Sequence, residues 1–284
     1  MSIANSLKTL LSQTAASCAS LIKIALQSRP VGKTPVPASG RDLLILGNGP
    51  SLTDTLENHP DFIRGKDLLA VNFAANAPLF ESLRPNLYVL ADPHFFLPGD
   101  DEKVYNLWRR LGAASWDITL FIPTRFRKEA ERLLTASSSK HLTTATFNLT
   151  PIEGFSKLKR FAFRHSLGMP RPRNVLIPSI MTGLRLGYKR IYIAGADHSW
   201  SRTLWVDDSN RVVTVQPHFY PDDEKERERV TAAYAGIHLH DIYTSFAIAF
   251  RSYFEIEAYA SALCVEIINV TPGSFIDAFA RLKL

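Results

Sequence analysis

Short apolar runs, each closed by a polar residue or a glycine turn, recur along the chain from residue 42 to residue 270. Residues 42–46 end in Gly47-Asn48-Gly49-Pro50-Ser51, residues 67–71 run into Asn72, and residues 87–91 run into Asp92. Residues 118–122 form a fourth run, residues 190–196 a fifth that stops at Asp197, and residues 265–270 the last, ahead of Thr271-Pro272-Gly273-Ser274. Runs of this length bounded by turn residues predict buried strands. Between them, residues 179–187 and 240–262 carry helical spacing, and a closing helix is expected after Ser274. Strands alternating with helices predict an α/β fold with a mostly parallel, doubly wound, Rossmann-like sheet covered on both faces.

The first 28 residues have a different rhythm. Ile3, Leu7, Leu10, Leu11, Cys18, Leu21 and Ile22 fall close to helical spacing over residues 3–27, and no acidic residue precedes Asp42, whereas Lys8, Lys23, Arg29 and Lys33 do. This is a basic amphipathic helix, too interrupted by polar residues for a transmembrane span. It lacks a clear cleavable signal. Two readings stand: a helix docked on its own domain or a partner, or a peripheral membrane anchor. Residues 29–40, rich in Pro and Gly, read as a linker, which leaves residues 41–284 as a single α/β domain. Within it, residues 135–175 carry Ser, Thr, Lys, Arg and three prolines, and read as a lid, an acceptor-binding insertion or a surface excursion.

Composition narrows the class. At 46% hydrophobic and 21% charged residues, disorder and collagen-like folds fall away. A net charge of +6 favours an anionic partner such as a nucleotide, an acidic glycan or a membrane surface. No basic helix with interleaved aromatics appears, so nucleic acid is not expected. Two cysteines, Cys18 and Cys264, make no disulfide framework or zinc spacing, and a reducing cytoplasm is the expected compartment.

In a parallel sheet, ligands bind beyond the carboxyl ends of the strands. Those ends carry Asn48, Asn72, Asp92, Asp197 and Ser274. The Gly47–Ser51 turn leads into a helix at Leu52, where two glycines and a helix N-terminus suit a phosphate or ribose. It lacks the lysine of a P-loop and the third glycine of the dinucleotide fingerprint, and a purely structural turn is the alternative. Asp92, with His94 two residues on, and Asp197, after Gly195 and Ala196, are candidate ligand contacts or plain caps. His238 and His240, just before the long helix and followed by Asp241, are candidate proton acceptors. His218-Phe219-Tyr220 is a weaker case. Asp207-Asp208 and Asp222-Asp223 lie in charged surroundings and read as solvated loops, so no tightly bound metal is expected.

Read together, these blocks resemble a known group. Residues 46–52 resemble the opening strand-turn of bacterial sialyltransferases that use CMP-activated sialic acid (glycosyltransferase family 42), and also of the related 6-hydroxymethylpterin pyrophosphokinase-like proteins of polysaccharide gene clusters. Val71-Asn72, residues 186–197 and Thr271-Pro272-Gly273-Ser274 match further blocks in order, over roughly residues 42–280. The resemblance implies a metal-independent, variant GT-A-type nucleotide-sugar transferase, with CMP held by Asn48, Ser51 and Asn72 and supported by the Thr271–Ser274 turn. It implies His240 as the base that deprotonates the acceptor, with His238 in reserve. It implies a CMP-sugar donor as substrate, no tightly bound cofactor, and a glycan or lipid-linked glycan acceptor. Departures from the sialyltransferase pattern are Asp92 in place of an Asn, and His198 and Trp200 where tyrosines support the leaving phosphate. The Asp197–Trp200 and Thr271–Phe279 blocks look more like the pterin-kinase-like group, whose chemistry would place Asp92 and Asp197 on Mg²⁺ and take its pyrophosphoryl group from ATP. Asp197 as a covalent nucleophile, and a non-catalytic nucleotide-binding protein, complete the alternatives.

Overall fold

The computed structural model describes residues 3–33, 40–135, 139–214 and 236–284. Eight strands form one parallel sheet: β1 (Leu43–Leu46), β2 (Asp67–Val71), β3 (Leu87–Val89), β4 (Ile118–Pro123), β5 (Leu142–Phe147), β6 (Arg190–Ala194), β9 (Glu266–Asn269) and β10 (Ala280–Arg281). Their order is β10-β9-β6-β1-β2-β3-β4-β5. The chain builds outward from β1 to β5, then returns to the other side of β1 with β6, β9 and β10. The switch point of the topology therefore lies between β1 and β6. A two-stranded antiparallel hairpin, β7 (Leu204–Val206) and β8 (Val212–Thr214), stands apart from the sheet.

Helices cover both faces: α1 (Ile3–Gln27), α2 (Ser51–Asn58), α3 (Pro60–Ile63), α4 (Phe80–Leu83), α5 (Glu102–Gly112), α6 (Arg127–Thr135), α7 (Ser156–Arg164), α8 (Leu176–Leu186) and α9 (Leu239–Ala262). The pleat of β1 divides the core. Leu43 and Ile45 face a cluster that includes Ile177 and Ile180 of α8 and Tyr253 and Ile256 of α9. Leu44 and Leu46 face Leu52 of α2 on the opposite side. Because both faces are buried, β1 reads as four consecutive apolar residues instead of an alternation.

Two expectations change. Within residues 135–175, residues 142–147 form β5, the sheet's edge strand, in register with β4 from Leu142↔Ile118 to Phe147↔Pro123. Its Thr-rich sequence reads as polar surface because an edge strand buries little: only Ala145 and Phe147 are buried in it. Beyond Ser274 there is no helix; the chain stays extended into β10. Arg281 donates to the Ser274 and Ile276 carbonyls, acceptors that a helix would use internally, while buried Ile276 and Phe279 pin the segment to the core.

α1 forms as expected, yet it docks with its polar side. Ser20 is fully buried, its hydroxyl accepting the Glu153 N–H and donating to the Glu153 carbonyl; the Ser17 hydroxyl accepts the Phe155 N–H. Gly154 lets the helix approach, since a Cβ there would lie 2.2 Å from Ser17 Oγ. Contrary to the expectation that its polar residues rule out a span, α1 is, among the described residues, the one helix long and apolar enough to cross a membrane by length and composition alone.

Candidate functional site

A cavity of about 410 Å³ opens at the carboxyl ends of β1, β2, β3 and β6, at the switch point. Asn48, Asn72, Asp92 and Asp197, each predicted from a different strand end, all line it. Two lining residues, Asn72 (φ 51°) and His198 (φ 51°), hold the left-handed conformation that non-glycine residues rarely adopt. The Tyr88 hydroxyl fixes Asn72 by donating to its carbonyl at 2.6 Å and accepting the Ala75 N–H at 2.9 Å. Such strain is kept only where the surroundings over-determine it.

The Gly47–Ser51 turn is packed against the end of β6. The Gly47 N–H donates to the Ala194 carbonyl and the Gly49 N–H to the Gly195 carbonyl, both at 2.8 Å. A Cβ on Gly49 would fall 1.9 Å from Asp197 Oδ2, and one on Gly47 would fall 2.3 Å from the Gly195 oxygen. These glycines serve the contact between two strand ends, and their N–H groups are already engaged. The start of α2 is engaged as well: Ser51 Oγ donates to Asp197 Oδ2 at 2.8 Å. Burial raises the Asp197 carboxyl above its ordinary range, and hydrogen bonds from the Ser51 hydroxyl and N–H oppose that rise. The carboxylate stands where the sequence predicts a ligand anion. Ser51 itself is not part of the cavity wall.

Beside Asp197, the cavity wall holds a part-buried polar chain anchored on the buried Tyr253. His198 Nε2 lies 2.6 Å from the Tyr253 hydroxyl, and that hydroxyl donates to Asn174 Oδ1 at 3.1 Å. With the imidazole proton on Nε2, the Tyr253 hydroxyl accepts from His198 and donates to Asn174 Oδ1. Burial drives the His198 pKa down to about 3, so the ring is neutral near pH 7, and Trp200 packs on it with ring centroids 4.2 Å apart. Asn174 Oδ1 also accepts the Leu176 and Ile177 N–H groups at the start of α8. Two carboxamides on this wall lack partners among the described residues: both polar atoms of Asn48, and Nδ2 of Asn174. Buried polar atoms without partners are rare, and these three lie on residues that line the cavity.

Two cations also belong to the wall. Arg125, packed over the Phe126 ring at 4.6 Å, and Arg173, which leads into Asn174, both line the cavity, and neither has an ion-pair partner among the described residues. Asp92 Oδ1 accepts the His94 N–H at 2.8 Å as a turn cap, while His94 itself pairs with Asp101 at 2.8 Å away from the cavity lining.

Several predicted residues lie elsewhere. Thr271 and Ser274 are buried behind the β6 end: Thr271 Oγ1 accepts the Ala196 N–H at 3.0 Å, and Ser274 Oγ donates to the Ala196 carbonyl at 2.6 Å. With Gly273 (φ 63°) turning the chain, they brace the loop that carries Asp197 and do not reach the cavity lining; there is also no helix N-terminus behind them. His238 and His240 are exposed at the start of α9, their rings stacked 5.8 Å apart, with Asp241 accepting the His238 N–H at 3.3 Å. Neither lines the cavity. Asp207 closes the β7–β8 turn by accepting the Ser209 and Arg211 N–H groups. His218-Phe219-Tyr220 and Asp222-Asp223 lie outside the described residues.

Arg125, Arg173, Asn174 and Tyr253 escape a reading of the sequence. Asn174 had a signal, an Asn directly before an apolar helical run, which marks a helix cap. Arg125 and Arg173 look like ordinary surface cations, and Tyr253 like one more core aromatic of α9.

The fold and cavity define a class: an α/β protein whose candidate ligand site sits at the switch point of a doubly wound parallel sheet. No family model matches the chain, and no curated protein sequence matches it. Among solved structures it is similar to the MAf glycosyltransferase from Magnetospirillum magneticum AMB-1, at 13% sequence identity and a TM-score of 0.48. The match covers 96% of this chain and 38% of that one, so the chain spans well under half of that protein's length. The likeness is too distant to carry chemistry from one chain to the other.

Proposed function

We propose that this protein is a glycosyltransferase that moves an acidic sugar, of the sialic acid or Kdo type, from its CMP-activated donor to a surface-polysaccharide or lipopolysaccharide acceptor. The observation that carries the reading is the make-up of the cavity wall. Two guanidinium groups that have no ion-pair partner among the described residues, together with the positive end of α8, suit a phosphate and a sugar carboxylate, while the Asn48 carboxamide, without a partner among the same residues, suits the polar edge of a base or ribose. The ordered motifs of residues 42–280 support the same reading from the sequence side. Exposed, unpaired Cys18 and Cys264 suit a cytoplasmic location.

In the reaction, the acceptor oxygen attacks the anomeric carbon, its proton passes to a base, and the bond to the CMP phosphate breaks with CMP as leaving group. His240, exposed and away from the cavity, is poorly placed for the proton. Asp197 is held by Ser51 at the start of α2, and His198 is buried against Tyr253. Asp92 is the exposed carboxylate of the wall and becomes the proposed base, its Oδ2 being without a partner among the described residues. Arg125 and Arg173 would neutralise the charge gathering on the departing phosphate. The second reading, a pterin pyrophosphokinase using ATP and Mg²⁺, draws on Asp92 and Asp197 lining the same cavity. A thermal-shift panel of CMP, CDP, ATP and GTP, with and without Mg²⁺, separates the readings, because a ligand that binds only the native state raises its melting temperature. A metal-independent rise with CMP supports the transferase. A rise with ATP only when Mg²⁺ is added favours the kinase, and no rise with any nucleotide points to a non-catalytic role.

A further inference from the structure

The face that α1 gives to the domain and the face it keeps for solvent are the reverse of those of an ordinary docked helix. Ser17 and Ser20 are buried against residues 153–155, whereas Leu7, Leu10, Leu11, Leu21, Ile22 and Leu26 are between 53% and 68% exposed. At 100° per residue those six side chains gather on the side of the helix opposite Ser20. A soluble helix normally turns its apolar stripe to the core, and contiguous exposed apolar patches mark interaction surfaces.

We propose that α1 is a two-sided adaptor: its serine face belongs to the domain, and its leucine face lies in the interface of an anionic lipid bilayer. Charge selects this occupant. No acidic residue occurs before Asp42, and Lys8, Arg29 and Lys33 are exposed at the two ends of the helix and just beyond it. A second copy of α1 on the same face would bring like charges together, whereas anionic headgroups neutralise them. The serine face also ties α1 to the cavity wall. Lys23 pairs with Glu153 at 3.5 Å and Glu153 with Arg171 at 2.6 Å, two residues before the lining Arg173. The Arg29 N–H and carbonyl both bond the carboxamide of Asn148, which also accepts from Thr124, the neighbour of Arg125. A bilayer holding α1 thus sets the position of both arginines relative to the membrane surface.

Co-sedimentation of the full chain with vesicles of phosphatidylcholine and phosphatidylglycerol tests this. Binding is expected to need the anionic lipid, to weaken with salt, and to fall by roughly tenfold or more in a Leu11→Glu/Ile22→Glu variant. Both substituted side chains are exposed, so the melting temperature should stay within a degree or two, about the range of neutral surface changes. Three results would overturn the proposal: no sedimentation with anionic vesicles at low salt, equal binding by the variant, or a soluble dimer of the wild type that the same substitutions dissociate. The last would give the leucine face to a second copy of the chain.

Discussion

The N-termini of α2 and α8 open toward the same end of the sheet, and they are dressed in opposite ways. At α2 the glycine turn is locked to the β6 end, and a full carboxylate, Asp197, sits against Ser51. At α8 the cap is a neutral carboxamide, Asn174, with Arg173 beside it and Arg125 on the same cavity wall. A helix N-terminus attracts negative charge. At α2 the protein supplies that charge; at α8 the positive field is left facing the cavity. The difference teaches that a glycine-rich turn before a helix marks an anion position without saying whether a ligand or the protein fills it.

Catalysis gives the strongest way to break this comparison. With Asp92 as base, Asp92→Asn should lower turnover by about 10²–10⁴-fold with CMP affinity nearly kept, as positioned base catalysis is typically worth that much. His240→Ala should change little. Steady-state kinetics on both variants decides it, and a large loss in His240→Ala alone would return the base to the start of α9.

The structural role given to the α2 side predicts a stability effect. Gly49→Ala places a methyl group 1.9 Å from Asp197 Oδ2 and 2.7 Å from the Gly195 carbonyl. The loss should reach or exceed the ~1–3 kcal/mol typical of overpacking, read by urea denaturation. A neutral result would mean that the β1 and β6 ends part easily and that the turn is free to take a ligand.

A smaller effect follows from pH. The folded pKa of His198 is depressed to about 3 from an ordinary 6.5, so between those values the unfolded chain binds the extra proton. His198 therefore contributes stability above pH 6.5 that is lost as the pH falls toward 3. Asp197, raised above its ordinary 3.8, acts in the opposite sense, adding stability as the pH falls through its folded pKa. The Asp197→Asn variant removes that compensation, and its melting temperature should drop more steeply on acidification than that of the wild type. Parallel curves would remove the raised pKa of Asp197 from the account.

The sequence showed the sheet well because β1, β2, β3, β4 and β6 are buried on both faces and leave apolar runs with polar ends. It missed β5, since an edge strand such as Leu142–Phe147 is half solvated and its threonines look like loop. It invented a helix after Ser274, because tertiary hydrogen bonds from Arg281 override the local pattern there. The strand-end residues Asn48, Asn72, Asp92 and Asp197 were legible from position alone. The occupancy of α2 by Asp197 was not, being a contact across 146 residues. The arginines were not legible either, because their meaning comes only from the cavity they enclose.

The most direct measurement is a calorimetric titration of CMP into the wild type, an Arg125→Ala/Arg173→Ala variant and Ser51→Ala. A hydrogen bond to a charged group contributes about 1.5–3 kcal/mol, so the double variant should bind CMP at least roughly tenfold more weakly while melting like the wild type. Ser51→Ala should keep its affinity within about threefold, roughly 0.65 kcal/mol, and lose some stability instead. Full CMP affinity in the double arginine variant, together with lost affinity in Ser51→Ala, would contradict the account and put the phosphate back at the start of α2.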